Sequence, residues 1–133
     1  MDSGLVSRTR PVVSSSNGVP ASGISEVEAY LDTYRAMFLS RAVDQVEMEL
    51  VNRGEAFFHV GCAGHEACAV LNRYLTPEDW LHLHYRDKAL MLARGLSAEE
   101  FFHSLLCTGA SHSAGRQMSA HLSAPHLKIL SLV

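Results

Sequence analysis

Between Ser25 and Gly54 the chain carries one unbroken helical pattern, and this segment limits the possible folds more than any other. The Ser25 hydroxyl can cap a helix start while Glu28, three residues on, reaches back to complete a capping box. Val27, Leu31, Tyr34, Phe38, Ala42, Val46 and Leu50 recur at helical steps, and Gly54 offers the left-handed stop. A helix over residues 25–53 would run about 43 Å at about 1.5 Å per residue. That exceeds what one domain built from 133 residues can cover, so part of the helix is expected to pack on something else.

The remainder reads as shorter helices with almost no strand. A second helix is expected over residues 66–75, and Thr76-Pro77-Glu78-Asp79 offers a cap, a first-turn proline and acids suited to a helix dipole, so helix restarts there. Leu81-His82-Leu83-His84 alternates as an extended arm would, and Asp87 can cap a helix over residues 88–94 that stops at Gly95. Ser97-Ala98-Glu99-Glu100 is a second capping box, with Phe101, Phe102, Leu105 and Leu106 on one apolar face. Five helical segments result, a mainly α segment over residues 24–133, with a Gly- and Ser-rich loop from Cys107 to His121. Residues 1–23 hold many Ser, Gly and Pro and few large apolar residues, which predicts a disordered tail; Arg8 and Arg10 precede no apolar run, so a secretory signal is excluded.

Fourteen acidic against eleven basic residues give a formal charge of −3 with no basic cluster, which argues against nucleic acid as a partner. No segment approaches membrane-spanning length. Cys62, Cys68 and Cys107 are an odd number of cysteines in apolar surroundings and point to free thiols in a reducing compartment, the cytoplasm or, in a eukaryote, the mitochondrial matrix.

Tyr85-Arg86-Asp87 is the most informative chemical motif, because it sets a permanent guanidinium and a phenol beside the free amides of a helix start. Phosphate or diphosphate suits that arrangement; pairing of Arg86 with Asp79 or Glu100 is the structural alternative. His59 and His65 flank a glycine turn at Gly61 and Gly64, where either can handle protons or serve structure, and Glu66 suits the dipole of the helix it opens. Arg116 and His121 either fix their glycine-flanked loop over a ligand or are simply solvated. Cys62-x-x-His65-x-x-Cys68 and His82-x-His84 hold zinc-type ligands, but a helix from Glu66 would separate Cys62 from Cys68, so no metal site is expected. A catalytic Cys–His pair has no support either.

Three blocks together carry a family resemblance. Phe57-Phe58-His59-Val60-Gly61-Cys62-Ala63-Gly64-His65-Glu66-Ala67 resembles the start of the alpha part of thiamine-diphosphate-dependent 2-oxo acid dehydrogenases, branched-chain (2-oxoisovalerate) and pyruvate types included. Tyr85-Arg86-Asp87 falls where those proteins carry a Tyr-Arg pair, and Gly115-Arg116-Gln117-Met118 with His121 matches the following block. The likeness covers about residues 25–133 and is strongest to bacterial branched-chain forms, including those with fused alpha and beta parts.

The resemblance implies the incomplete amino-terminal part of an α/β thiamine-diphosphate-binding fold, with Tyr85 and Arg86 on the cofactor diphosphate and His59 as a catalytic residue near the substrate or the lipoyl group. His84 stands where relatives carry Gln, Tyr or Ser, and residues 130–133 where they begin a cofactor-facing turn, usually with Ser-Pro. The family holds magnesium through a Gly-Asp-Gly signature followed by Asn; none occurs in the 133 residues, so the Mg2+ ligands are expected outside the chain. Implied partners are a beta part supplying the activating glutamate, a lipoyl acyltransferase component and a 2-oxo acid, in an oligomer. The expected whole enzyme decarboxylates a branched-chain or other 2-oxo acid and passes the acyl group to a lipoyl carrier, the segment alone being inactive. The alternative is a non-catalytic helical module that docks through its long helix.

Overall fold

The computed structural model describes residues 25–130, so the tail expected over residues 1–23 and positions 131–133 of the expected cofactor-facing turn lie outside the described residues. The first helix begins at the expected residue, with the Ser25 half of the capping box formed: the Ser25 hydroxyl accepts a hydrogen bond from the Glu28 amide at 3.2 Å and opens α1, Glu26–Asn52. It ends in a Schellman closure, with Gly54 at φ +75°. The Gly54 amide donates to the Val51 carbonyl and the Glu55 amide to the Leu50 carbonyl, both at 2.9 Å.

The face that α1 buries is not the expected apolar stripe. Val27, Tyr34 and Phe38 are 68, 62 and 66 % exposed, and Leu31 and Val46 also face outward. Thr33, Ala36, Ser40, Val43, Asp44 and Glu47, on the opposite side of the helix, turn inward. Both faces repeat at helical spacing, and two local needs decide between them. Ala36 meets Ala69 and Ala89 in a cluster of small residues where neighbouring backbones come close. Asp44 and Glu47 bind a buried cation, whose partners have to sit on the inward face.

The second helix forms over Glu66–Tyr74, as a 3₁₀ helix rather than an α-helix. Three residues per turn place every third side chain in register. Glu66 pairs with Arg41 of α1 at 3.2 Å, Ala69 is fully buried, the Asn72 amide donates to the Ala93 carbonyl at 2.7 Å, and Leu75 packs on the main core. One straight row of contacts along the groove beside α1 accounts for the tighter winding.

Thr76-Pro77-Glu78-Asp79 does not restart a helix. The Asp79 carboxylate folds back to accept from the Thr76 amide at 2.8 Å and its hydroxyl at 3.0 Å, closing a turn. Arg94 clasps that turn from below through the carbonyls of Thr76, Pro77 and Asp79. The chain leaves extended, and Leu81 pairs with Ile129 in a parallel bridge: the Leu81 amide donates to the Lys128 carbonyl at 2.8 Å and the Leu130 amide to the Leu81 carbonyl at 2.9 Å.

Between these bridge partners lie α2, Lys88–Arg94, and α3, Ala98–Leu105. α2 ends on Gly95 at φ +112° in a second Schellman closure, and α3 starts with the expected capping box between Ser97 and Glu100. Val43, Leu81, Met91, Leu96, Phe101, Leu122, Ala124 and Ile129 form the main core. The described residues are thus mainly helical, with isolated bridges in place of a sheet, and none of their helices is long and apolar enough to cross a membrane.

Lys88, 4 % exposed, joins α2 to α1: its ammonium lies 3.1 Å from Asp44 and 2.5 Å from Glu47. Removing the cation leaves two buried carboxylates unpaired, so Lys88→Met is expected to cost about 3–5 kcal/mol. A urea-denaturation midpoint within error of the parent protein's would show that the ion pairs do not hold α2 in place.

Candidate functional site

Tyr85 and Arg86 occupy the two central positions of a tight turn. The Asp87 amide donates to the His84 carbonyl at 2.9 Å, and the His84 amide donates to Asp87 Oδ2 at 3.0 Å. Asp87 therefore does not cap α2 forward as expected: its carboxylate reaches back and braces the turn. The Tyr85 ring lies 3.9 Å from the His84 ring, centroid to centroid, and packs on the main core. The Arg86 guanidinium stacks 5.4 Å from the Tyr85 ring centre and donates to the Gly61 carbonyl. The ion-pair alternative for Arg86 is replaced by this backbone contact, and Glu100 is engaged at its own helix cap.

His59 enters from the same loop as Gly61. A cavity of about 10 Å³, the size of one water, is lined by His59, Tyr85, Glu47, Lys88, Ser104 and Ser119. On its other side His59 borders an open cleft of about 560 Å³ together with Arg41, Asp44 and Gly61. The three expected site residues thus converge: Arg86 holds Gly61, while Tyr85 and His59 share the small cavity.

Asp44, Glu47 and Lys88 were not singled out as site residues by sequence, yet Glu47 and Lys88 line that cavity, and Asp44 pairs with Lys88 and borders the open cleft. Ser40, Asp44 and Glu47 sit at helical spacing on one face of α1, and that polar row was the readable signal. Asp44 Oδ2 also accepts from the Cys62 amide at 3.0 Å, fixing the loop that Arg86 grips. Burial, reinforced by the charge of Asp44, pushes the Glu47 carboxyl above its ordinary value against the opposing pull of Lys88. Burial and the Asp44 charge likewise push the Cys62 thiol up.

The remaining candidates take separate places. Glu66 accepts from the Gly64 amide at 2.8 Å besides pairing with Arg41. His65 Nδ1 lies 3.5 Å from Asp87 Oδ1, and its ring stacks on His84 at 5.8 Å. Cys62 is buried, its thiol donates to the Ser40 carbonyl at 3.7 Å, and it is not among the ligand-type side chains that group with His65 and Cys68. Cys68 is half-buried, and burial together with the neighbouring Asp87 charge raises its pKa. Arg116 is exposed on the loop, and His121 Nδ1 lies 3.1 Å from the Ser119 carbonyl. Gly115, at φ +75°, is required there because a Cβ would stand 2.4 Å from the Cys107 carbonyl oxygen.

The segment that carries this turn, loop and buried ion pairs falls in a defined class: residues 34–131 match the dehydrogenase E1 component family, and the chain is a member of it. Within that family it is 35 % identical over 121 residues to the 2-oxoisovalerate dehydrogenase subunit alpha of Bacillus subtilis, covering 88 % of this chain and 36 % of that protein. It is 27 % identical over 100 residues to the mitochondrial 2-oxoisovalerate dehydrogenase subunit alpha 1 of Arabidopsis thaliana, covering 74 % of this chain and 21 % of the relative. A mitochondrial pyruvate dehydrogenase E1 component subunit alpha of Dictyostelium discoideum is 35 % identical over 66 residues, half of this chain and 18 % of its own length. The chain thus spans about a third of the length of the Bacillus subtilis relative. The resemblance drawn from the three sequence blocks holds.

Because the Glu47 pKa is raised in the folded chain, the folded state holds that proton more tightly than the unfolded one. Its contribution to stability is therefore complete below the ordinary carboxyl value of 4.5 and is lost as pH rises through the folded pKa. Urea titrations across this window should give a downward slope with rising pH that Glu47→Gln flattens; equal slopes for both proteins would refute the assignment.

Proposed function

We propose that the chain forms the amino-terminal, diphosphate-gripping part of the alpha component of a thiamine-diphosphate-dependent 2-oxo acid dehydrogenase, acting on a branched-chain 2-oxo acid. The observation that carries the reading is the Tyr85-Arg86 turn in a member of the E1 family. Its donor set suits the cofactor's anionic end: Arg86 spends one N–H on the Gly61 carbonyl, which orients the guanidinium and leaves further N–H donors on the fork, and Tyr85 adds a hydroxyl beside it. When bound, thiamine diphosphate supplies an electron sink for decarboxylation. Arg86 would neutralise the diphosphate, Tyr85 would orient it, and His59, between the small cavity and the open cleft, would hold or move a proton near the substrate or lipoyl group. Magnesium needs oxygen ligands, and the His65, Cys68 and Asp87 group among the described residues offers a nitrogen and a sulfur beside one oxygen, which supports Mg2+ ligands outside the chain.

The outward apolar stripe of α1, with Val27, Leu31, Tyr34 and Phe38, supports assembly with a beta part of the same enzyme and, further on, with a lipoyl acyltransferase. It also supports the second reading, a non-catalytic module docking through α1. One experiment separates them. In the enzyme assembled from the whole alpha component, downstream sequence included, and its beta part, calorimetric titration with thiamine diphosphate and Mg2+ should give tight binding that Arg86→Ala weakens about ten- to a hundred-fold, the loss of one or two charge-assisted hydrogen bonds. Unaltered affinity in Arg86→Ala removes the diphosphate assignment, and no binding by the parent assembly favours the docking module.

A further inference from the structure

His65, Cys68 and Asp87 meet at a point that neither the cofactor reading nor the core packing uses. A His65 ring nitrogen, Cys68 Sγ and an Asp87 carboxylate oxygen all lie within 4.8 Å of one another. Ligands of a tetrahedral zinc ion, at bond lengths of about 2.0–2.3 Å, stand roughly 3.3–3.7 Å apart. His65 Nδ1 and Asp87 Oδ1 have that separation already, at 3.5 Å, and the Cys68 thiol lies close enough to Asp87 to hydrogen-bond it. We propose that these three side chains bind a borderline divalent transition-metal ion, zinc above others, which clamps the start of the 3₁₀ helix to the turn carrying Tyr85 and Arg86.

The backbone arranges the ligands in advance. The Cys68 amide donates to the His65 carbonyl at 3.1 Å, and such a three-residue turn eclipses the two side chains on one face. Asp87 Oδ2 is tied to the His84 amide at 3.0 Å, so Oδ1 is the oxygen turned toward His65. The His84 ring, stacked on His65, restrains the imidazole as outer partners of metal ligands do. All three ligands are half-buried, which leaves an entry path and a fourth position for water. One nitrogen, one sulfur and one oxygen donor select zinc, cobalt or nickel over magnesium and calcium. On binding, Cys68 releases its thiol proton to solvent and the thiolate becomes the ligand. The winding of Glu66–Tyr74 explains why the sequence misleads here: Cys62 of the Cys-x-x-His-x-x-Cys pattern is buried elsewhere, and Asp87, distant in sequence, takes its place.

Cobalt(II) gives a direct readout on the full, reduced chain. Titration should saturate at one equivalent with visible ligand-field bands and a near-ultraviolet thiolate-to-cobalt band, and an equivalent of zinc should abolish both. Cys68→Ser should remove the thiolate band, and His65→Ala should weaken binding at least about a hundred-fold, the upper end of what loss of an outer-shell partner alone costs. Cys62→Ser and Cys107→Ser should leave the spectrum intact, with far-ultraviolet circular dichroism checking that each variant is folded. No stoichiometric uptake, or a thiolate band that survives Cys68→Ser, overturns the proposal and leaves His65–Asp87 as a simple ion pair. Cofactor affinity is not the readout, so failure of this site and failure of the diphosphate assignment are told apart.

Discussion

The buried ion pairs of Lys88 with Asp44 and Glu47 set the constraints that the rest of the structure obeys. Taking three charges out of water is costly, and the attraction among them offsets that cost only in a fixed geometry. That geometry dictates which face α1 turns inward, where α2 begins, and, through the bond from Asp44 to the Cys62 amide, how the loop from His59 to Gly64 runs. An apolar contact of the same area would hold the helices together without fixing their rotation about their axes.

This explains why α1 was legible in extent but not in orientation. Its Ser25 cap, length and stop are local properties, and they appear as read. Which face packs is a non-local property. The apolar stripe is the stronger pattern in the sequence, and the inward row of Thr33, Ala36, Ser40, Asp44 and Glu47 reads as a solvated face until Lys88 is known to lie across from it. The same distinction separates the Ser97 capping box, which forms as read, from Thr76–Asp79, where a plausible helix start is overridden by Arg94 and by the pairing of Leu81 with Ile129.

At the site, the sequence supplied the residues and the fold supplied their relations. Tyr85 and Arg86 are adjacent in the chain, so their pairing needed no tertiary information. The grip of Arg86 on Gly61 and the facing of His65 by Asp87 join residues more than twenty positions apart, and no local pattern encodes them. Asp87 shows the cost of local reasoning most directly: an aspartate before a helix is ordinarily a cap, and here the competing His84 amide and His65 ring draw it backward.

Three consecutive charged residues after Tyr85 each fasten a different part of the chain. Arg86 takes the Gly61 carbonyl, Asp87 the His84 amide and His65, and Lys88 the carboxylates of α1. With so many directions fixed within one turn of chain, Tyr85 has little freedom left. Counting formal charges, Arg86 and Lys88 give +2 against −3 from Asp44, Glu47 and Asp87, a net of −1 if every carboxylate is ionised. An anion approaching Arg86 would meet that excess. Burial pushes the Glu47 carboxyl upward against that excess, the Asp44 charge adds to the push, and the Lys88 charge and hydrogen bond pull the other way.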